Sequence, residues 1–72
     1  MKNIEALIDD GGEITVGAGD AGACWATAND GHNTQAMLVR RDGETLNALL
    51  RRLDKAIAKA SDGGNVVDEV NR

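Results

Sequence analysis

The sequence predicts a small α+β domain in which a three-stranded antiparallel β-meander packs against one long C-terminal α-helix, with a short helix at the N-terminus. Two observations predict this fold. Residues 13–17 alternate apolar and polar side chains and two further strand-like segments flank an Asp-Gly turn, and residues 43–61 repeat apolar side chains at helical spacing. The predicted order is α-β-β-β-α, in a single domain over residues 1–72, because 72 residues leave room for one domain.

The first element allows two interpretations. In "NIEALIDDGG", Ile4, Leu7 and Ile8 lie on one side of a short helix that ends at the glycines, which is the favoured interpretation. Ile4, Ala6 and Ile8 also alternate, so a strand is the alternative.

Three strands are predicted next, from "EITVG", "ACWATA" and "TQAMLVR". The last two flank "NDGHN", in which Asp30-Gly31 is typical of a two-residue hairpin turn. That turn would set Cys24 opposite Met37 and Trp25 opposite Ala36. A turn one residue longer would set Trp25 opposite Met37, and the pattern does not choose between these registers.

The long helix is predicted at about residues 43–61, within "GETLNALLRRLDKAIAKASDGG". Its apolar stripe, which matches one face of a helix, consists of Leu46, Leu49, Leu50, Leu53 and Ile57. Asp42 or Thr45 can cap its start, and the glycines at 63–64 favour a stop. The acidic tail, residues 62–72, is interpreted as a helical turn or an edge strand whose valines Val66, Val67 and Val70 pack on the body.

Composition excludes several classes of protein. No apolar run approaches the roughly 18 residues of a membrane span, and the N-terminus shows no signal sequence, so we expect a cytoplasmic protein without a membrane partner. The single cysteine cannot form an internal disulfide, which suits a reducing compartment. Because the core lacks Phe and Tyr, self-association would help stability, and a homodimer and a monomer are left open.

No pattern predicts catalysis, a cofactor or a metal ion. Gly17, Gly19 and Gly22 match G-x-G-x-x-G, but a hairpin follows them and the chain is too short for paired βαβ units. Cys24 and His32 would lie at opposite ends of a strand, and no second cysteine or histidine is present to complete a zinc site. We therefore expect a protein that is not an enzyme.

Trp25, the only tryptophan, is the main candidate for an interaction residue. A lone tryptophan between alanines either anchors the core, which is favoured, or stands exposed as an interaction hot spot. If the long helix covers the strand face that carries Cys24, Trp25 points away from that helix. The interpretation of Trp25 as an exposed interaction residue is then better supported.

A basic stripe offers a second candidate surface. It consists of Arg40, Arg41, Arg51, Arg52, Lys55 and Lys59. Clustered basic residues on a helix suggest contacts with phosphates, and the α-β-β-β-α order is also that of double-stranded RNA-binding domains. A solvated helix face is the favoured interpretation, because the chain carries a net charge of −4 and Asp42 and Glu44 precede the helix.

The segment "LVRRDGETLNALLRRLDKAIAKA", followed by "VDEVN", resembles the C-terminal half of small uncharacterised proteins encoded by temperate phages and prophages. A weaker resemblance is to the HicB-type antitoxin domain, in which a sheet precedes a helix opened by a Gly-acid-Thr-Leu motif. The matching residues are Gly43, Glu44, Thr45, Leu46, Leu50, Ala56 and Ile57. The first resemblance implies a phage or mobile-element protein, and the second implies an antitoxin.

Together these observations predict a non-enzymatic protein that acts by binding another protein or itself. The alternative is a nucleic-acid-binding module that uses the basic face of the long helix.

Overall fold

The computed structural model describes residues 1–19 and 22–70 and shows an α+β fold with the order α-β-β-β-α-β. The elements are α1 (Lys2–Asp9), β1 (Glu13–Ala18), β2 (Cys24–Asn29), β3 (Thr34–Val39), α2 (Leu46–Ser61) and β4 (Val67–Asp68). The first segment is therefore a helix, not a strand. Residues 20–21 of the predicted turn between the first two strands, and residues 71–72 of the predicted tail, lie outside the described residues.

The sheet has four strands in the order β1-β2-β3-β4, so the predicted three-stranded antiparallel meander is only part of it. The first three strands are antiparallel, whereas β4 lies parallel to β3 and pairs Ala36 with Val67. The direction of β4 follows from the connection, because α2 carries the chain back across the sheet as in a βαβ unit. The tail is thus the edge strand that the sequence offered as one alternative.

Both predicted hairpin registers are wrong. The structure pairs Thr27 with Met37 and Trp25 with Val39, around a loop of residues 30–33. The loop is longer than a two-residue turn because the Asp30 carboxylate accepts hydrogen bonds from the backbone N–H groups of His32 (2.8 Å) and Asn33 (2.7 Å). The pairing then shifts by one residue between Ala28 and Asn29, as in a β-bulge.

Helix α2 begins at Leu46, three residues later than predicted. Thr45 is the N-cap, and its hydroxyl accepts a hydrogen bond of 3.1 Å from the backbone N–H of Ala48. The preceding residues form a turn closed by the Glu44 N–H and the Arg41 carbonyl (3.1 Å), so they cannot extend the helix. Gly63, with φ of +80°, follows its C-terminus as predicted.

The core lies between one face of the sheet and α2, which packs across β2 and β3. Helix α1 packs beside α2 and over β1. The buried core residues are Ala26, Ala28, Ala36, Leu38, Leu49, Leu53, Ala56 and Ile57. Besides these residues, the strand side chains of Ile14, Val16 and Val67 are half-buried and pack against this face of the sheet.

Candidate interaction surfaces

Trp25 lies on the sheet face that neither helix covers. Its neighbours Ala26 and Ala28 are buried beneath α2, and successive side chains of a strand point to opposite faces. Trp25 is half-buried and does not belong to the core cluster, so its favoured placement in the core is wrong. Cys24 packs against the core instead, which is the arrangement that favours an interaction role for Trp25.

The indole of Trp25 is accommodated by one glycine, Gly19, which follows β1. Gly17 lies directly opposite Trp25 in β1, and Gly19 lies against the ring. A Cβ atom on Gly19 would be 2.6 Å from Cε2 of the indole, so only glycine leaves the ring in place. A shallow pocket of about 180 Å³ borders the ring, between Thr15 and Thr27.

We name this surface the Trp25 face. It is formed by Thr15, Gly17, Trp25, Thr27, Met37 and Val39. Met37 and Val39 are half-buried, whereas Thr15 and Gly17 at the β1 edge are exposed. None of these six residues is charged, and so they offer apolar and hydroxyl groups to a partner, while Glu13 of β1 and Asp68 of β4 lie at the margins of the same side of the sheet.

The basic stripe is divided by the structure. Arg51, Lys55 and Lys59 are exposed on the outer side of α2, and their side chains form no ion pair or hydrogen bond with any described residue. Arg40 and Arg41 lie in the loop before α2. Arg40 Nε donates a 2.8 Å hydrogen bond to the Glu44 carbonyl, and Arg41 remains largely exposed, with its Nη2 4.0 Å from Glu69.

Arg52 differs from the other residues of the basic stripe, because its half-buried guanidinium is bound by acidic and backbone groups of the protein. Nε and Nη2 donate to the carboxylate of Glu44 (2.7 and 3.0 Å), Nη1 donates to Glu69 (2.9 Å), and Nη2 also donates to the Val39 carbonyl (2.9 Å). Hydrogen bonding to Glu44 raises the pKa of Arg52. Its charge is therefore balanced by two carboxylates and links α2 to the loop before it and to the tail.

Sequence reasoning missed this cluster. The sequence predicts Glu44 only as an acidic residue near the start of the helix and Glu69 only as part of an acidic tail, yet both bind Arg52. The backbone N–H of Val39 also donates to the Glu69 carboxylate, at 3.0 Å. Only the parallel addition of β4 brings Glu69 to this position, and no local spacing indicates that pairing.

Cys24 and His32 do not form a site. Cys24 begins β2 on the core side, while His32 is exposed in the loop beyond the other end of that strand. Within residues 1–19 and 22–70, no group of three or more histidine, cysteine or acidic residues is arranged to hold a metal ion.

An open cleft of about 560 Å³ lies between the start of β2 and the start of α2. It contains Arg40 and Arg41 but also Asp42 and Glu44, so its charges are mixed. The carboxylate of Glu44 is already bound to Arg52, and hence no free acid and base pair lines the cleft.

Comparison with family models, with curated proteins and with solved structures finds no match for this chain. The resemblances to small phage proteins and to the HicB-type antitoxin domain therefore stay predictions from the sequence. In the part of the chain that the structure describes, no helix is both long and apolar enough to cross a membrane.

Proposed function

We propose that this protein is a non-enzymatic binding module whose Trp25 face docks on another protein or on a second copy of the chain. The observation that carries the proposal is the position of the only tryptophan on the face of the sheet that neither helix covers. A solvent-facing position is costly for so large an apolar side chain, and burial against a partner would remove that cost.

The surroundings of Trp25 suit a contact of this kind. Tryptophan is among the residues enriched at binding hot spots, where truncation to alanine typically costs about 2 kcal/mol or more of binding free energy. Gly17 and Thr15 keep the neighbouring β1 surface low, so a partner can approach the indole from the sheet edge. The six residues that form the Trp25 face carry no charge, so docking on them does not require the removal of a charge from water.

The test is substitution of Trp25 by alanine, with Leu46→Ala as the control. Leu46 is 47% exposed at the start of α2, so its removal takes a large apolar side chain from another part of the surface. Self-association is measured by sedimentation velocity, and binding of other proteins by affinity capture followed by titration of the purified partner. We expect Trp25→Ala to retain the circular dichroism of the wild type and to lose the complex, while Leu46→Ala keeps it.

Two results would contradict the proposal. A Trp25→Ala variant that binds as the wild type does would remove Trp25 from the interface. A variant that unfolds would show that the indole acts mainly in stabilising the fold.

A second candidate function is nucleic-acid binding by the outer side of α2. It is supported by the exposure of Arg51 and Lys55 and by the lack of ion pairs to them among the described residues. It predicts binding to duplex or single-stranded RNA or DNA that weakens steeply as salt is added. No binding at low salt would exclude it.

A further inference from the structure

A groove separates α2 from the edge strand β4. It arises because α2 packs mainly across β2 and β3, so the edge strand β4, whose Val67 is half-buried against the core, is only partly covered. The groove has a volume of about 220 Å³. Its floor is aliphatic and consists of Leu38 from β3, Ala56 from α2 and Val67 from β4.

The rim of this groove carries two unpaired positive charges. Lys55 and Lys59 line it one helical turn apart, and neither side chain has an ionic or hydrogen-bonding partner among residues 1–19 and 22–70. The groove is also lined by Arg52 and Glu69, whose 2.9 Å ion pair balances their charges. The free charge beside the aliphatic floor is therefore positive.

We propose that the α2–β4 groove binds an aliphatic side chain presented by an acidic segment of a protein partner. The volume exceeds the cavity of about 150 Å³ that holds a benzene molecule in a protein interior, so one branched aliphatic side chain fits. Carboxylates on the residues next to that side chain would reach the two ammonium groups. This charge complementarity supplies orientation, and burial of the aliphatic group supplies the gain in free energy.

A polynucleotide suits the groove less well. Its phosphates would satisfy Lys55 and Lys59, but single-stranded bases are held by stacking on aromatic rings. The lining of the groove is aliphatic and ionic, and the only aromatic residue of the chain, Trp25, lies on the opposite face of the sheet. The proposal therefore concerns a different surface from the Trp25 face and does not depend on the function proposed above.

The test uses three acetylated, amidated pentapeptides, EELEE, EEGEE and KKLKK, titrated into ¹⁵N-labelled full-length protein. Binding is followed through the amide resonances of Ala56, Lys59 and Val67. We expect EELEE to shift these resonances with the tightest binding, because only this peptide combines the aliphatic side chain with the carboxylates.

Charge-matched variants then test the role of the rim. Lys55→Gln with Lys59→Gln should weaken EELEE binding roughly tenfold, as expected for the loss of two surface ion pairs. Lys2→Gln with Arg51→Gln removes the same charge from exposed positions outside the groove and should change binding less than twofold. Circular dichroism checks that both double variants fold.

Several outcomes would overturn the proposal. Equal binding of EELEE and EEGEE would show that the floor takes no part, and equal weakening by both double variants would show that only net charge matters. Tighter binding of a ten-residue oligo-dT at the same amides would assign the groove to nucleic acid.

A second copy of the chain could offer similar chemistry, because Ile8 is 50% exposed and precedes Asp9 and Asp10. Sedimentation of the free protein and of Ile8→Ser tests this alternative. If the wild type is a dimer, and Ile8→Ser is a monomer that binds EELEE more tightly, the groove is occupied by the second copy. The proposal of a different acidic partner then fails.

Discussion

Arg52 holds Glu44 by two hydrogen bonds, 2.7 Å from Nε to Oε2 and 3.0 Å from Nη2 to Oε1. A bidentate pair of this kind fixes both the position and the charge of the carboxylate. Together with a hydrogen bond from the backbone N–H of Arg41, it lowers the pKa of Glu44 from 4.5 to about 2.

This pairing predicts that Glu44 stabilises the fold in a pH-dependent way. Because the pKa is lower in the folded protein, the stabilisation is present above pH 4.5 and is lost as the pH falls toward 2. Glu44→Gln should reduce the free energy of unfolding at pH 7 and flatten its decline between pH 5 and pH 2, as measured by urea denaturation. Glu5→Gln, at an exposed position in α1, is the control, and an equal slope in both variants would contradict the role of the pair.

Asp54 of α2 supplies the N-terminal cap of α1. Its Oδ1 accepts from the backbone N–H groups of Asn3 and Ile4, both at 2.9 Å, while Met1 at the N-cap position makes no side-chain cap hydrogen bond. Burial opposes ionisation of this carboxylate, but the hydrogen bonds from Ile4 and Asn3 outweigh it and lower the pKa of Asp54.

Asp54→Ala should therefore release α1 from α2. Loss of a helix cap costs about 1 kcal/mol in the free energy of unfolding, and the α1 amides should exchange with solvent faster. Asp54→Asn keeps one acceptor oxygen and should lose less. Unchanged exchange in α1 of the alanine variant would show that apolar packing of Ile4 and Leu7 is sufficient.

The two glycines near Trp25 allow a matched test of the indole position. A methyl group on Gly19 would overlap the ring, whereas one on Gly17 would meet no atom within 4 Å. Gly19→Ala should displace the indole toward solvent, which shifts its fluorescence to longer wavelength and increases quenching by acrylamide. Gly17→Ala should leave both unchanged, and identical spectra for the two variants would contradict the packing described here.

The hairpin loop depends on the Asp30 carboxylate. Hydrogen bonds from the backbone N–H groups of Asn33 and His32 lower the pKa of Asp30 from its ordinary value of 3.8. Asp30→Ala should lower the melting temperature at pH 7, and the difference from the wild type should shrink as the pH falls below about 3.8 and the carboxylate becomes protonated. His32→Ala is the control, and a deficit that stayed constant down to pH 2 would contradict this role.

The sequence indicates elements that depend on neighbours in the chain. Leu49, Leu53 and Ile57 of the predicted stripe are buried and place α2 correctly, whereas Leu46 is 47% exposed and Leu50 is half-buried, and Gly63 marks the end of the helix. Thr45 was one of two predicted caps, and its hydroxyl is the group that the structure selects. Alternation located the first strand, and the Asp30-Gly31 turn between two strand-like segments located the next two, because each of these patterns is local in the chain.

Patterns within single elements did not predict the register of the hairpin. Sequence patterns favour a two-residue turn at Asp30-Gly31, but the side chains of Asn29 and Asp30 close a longer loop. A difference of two residues in loop length is a small difference in local energy. It is decided by whether Ala28 and Ala36 can meet beneath α2.

The sequence by itself determined α2 and the first three strands, since periodicity, capping and turn chemistry act over a few residues, while it left the first segment open between a helix and a strand. Tertiary structure decided that β4 joins the sheet, that Trp25 faces away from the helices, and that Arg52 lies between Glu44 and Glu69. These features bring together residues far apart in the chain. They depend on which sheet face α2 covers, and that face is selected by the close packing of the alanines with the leucine stripe.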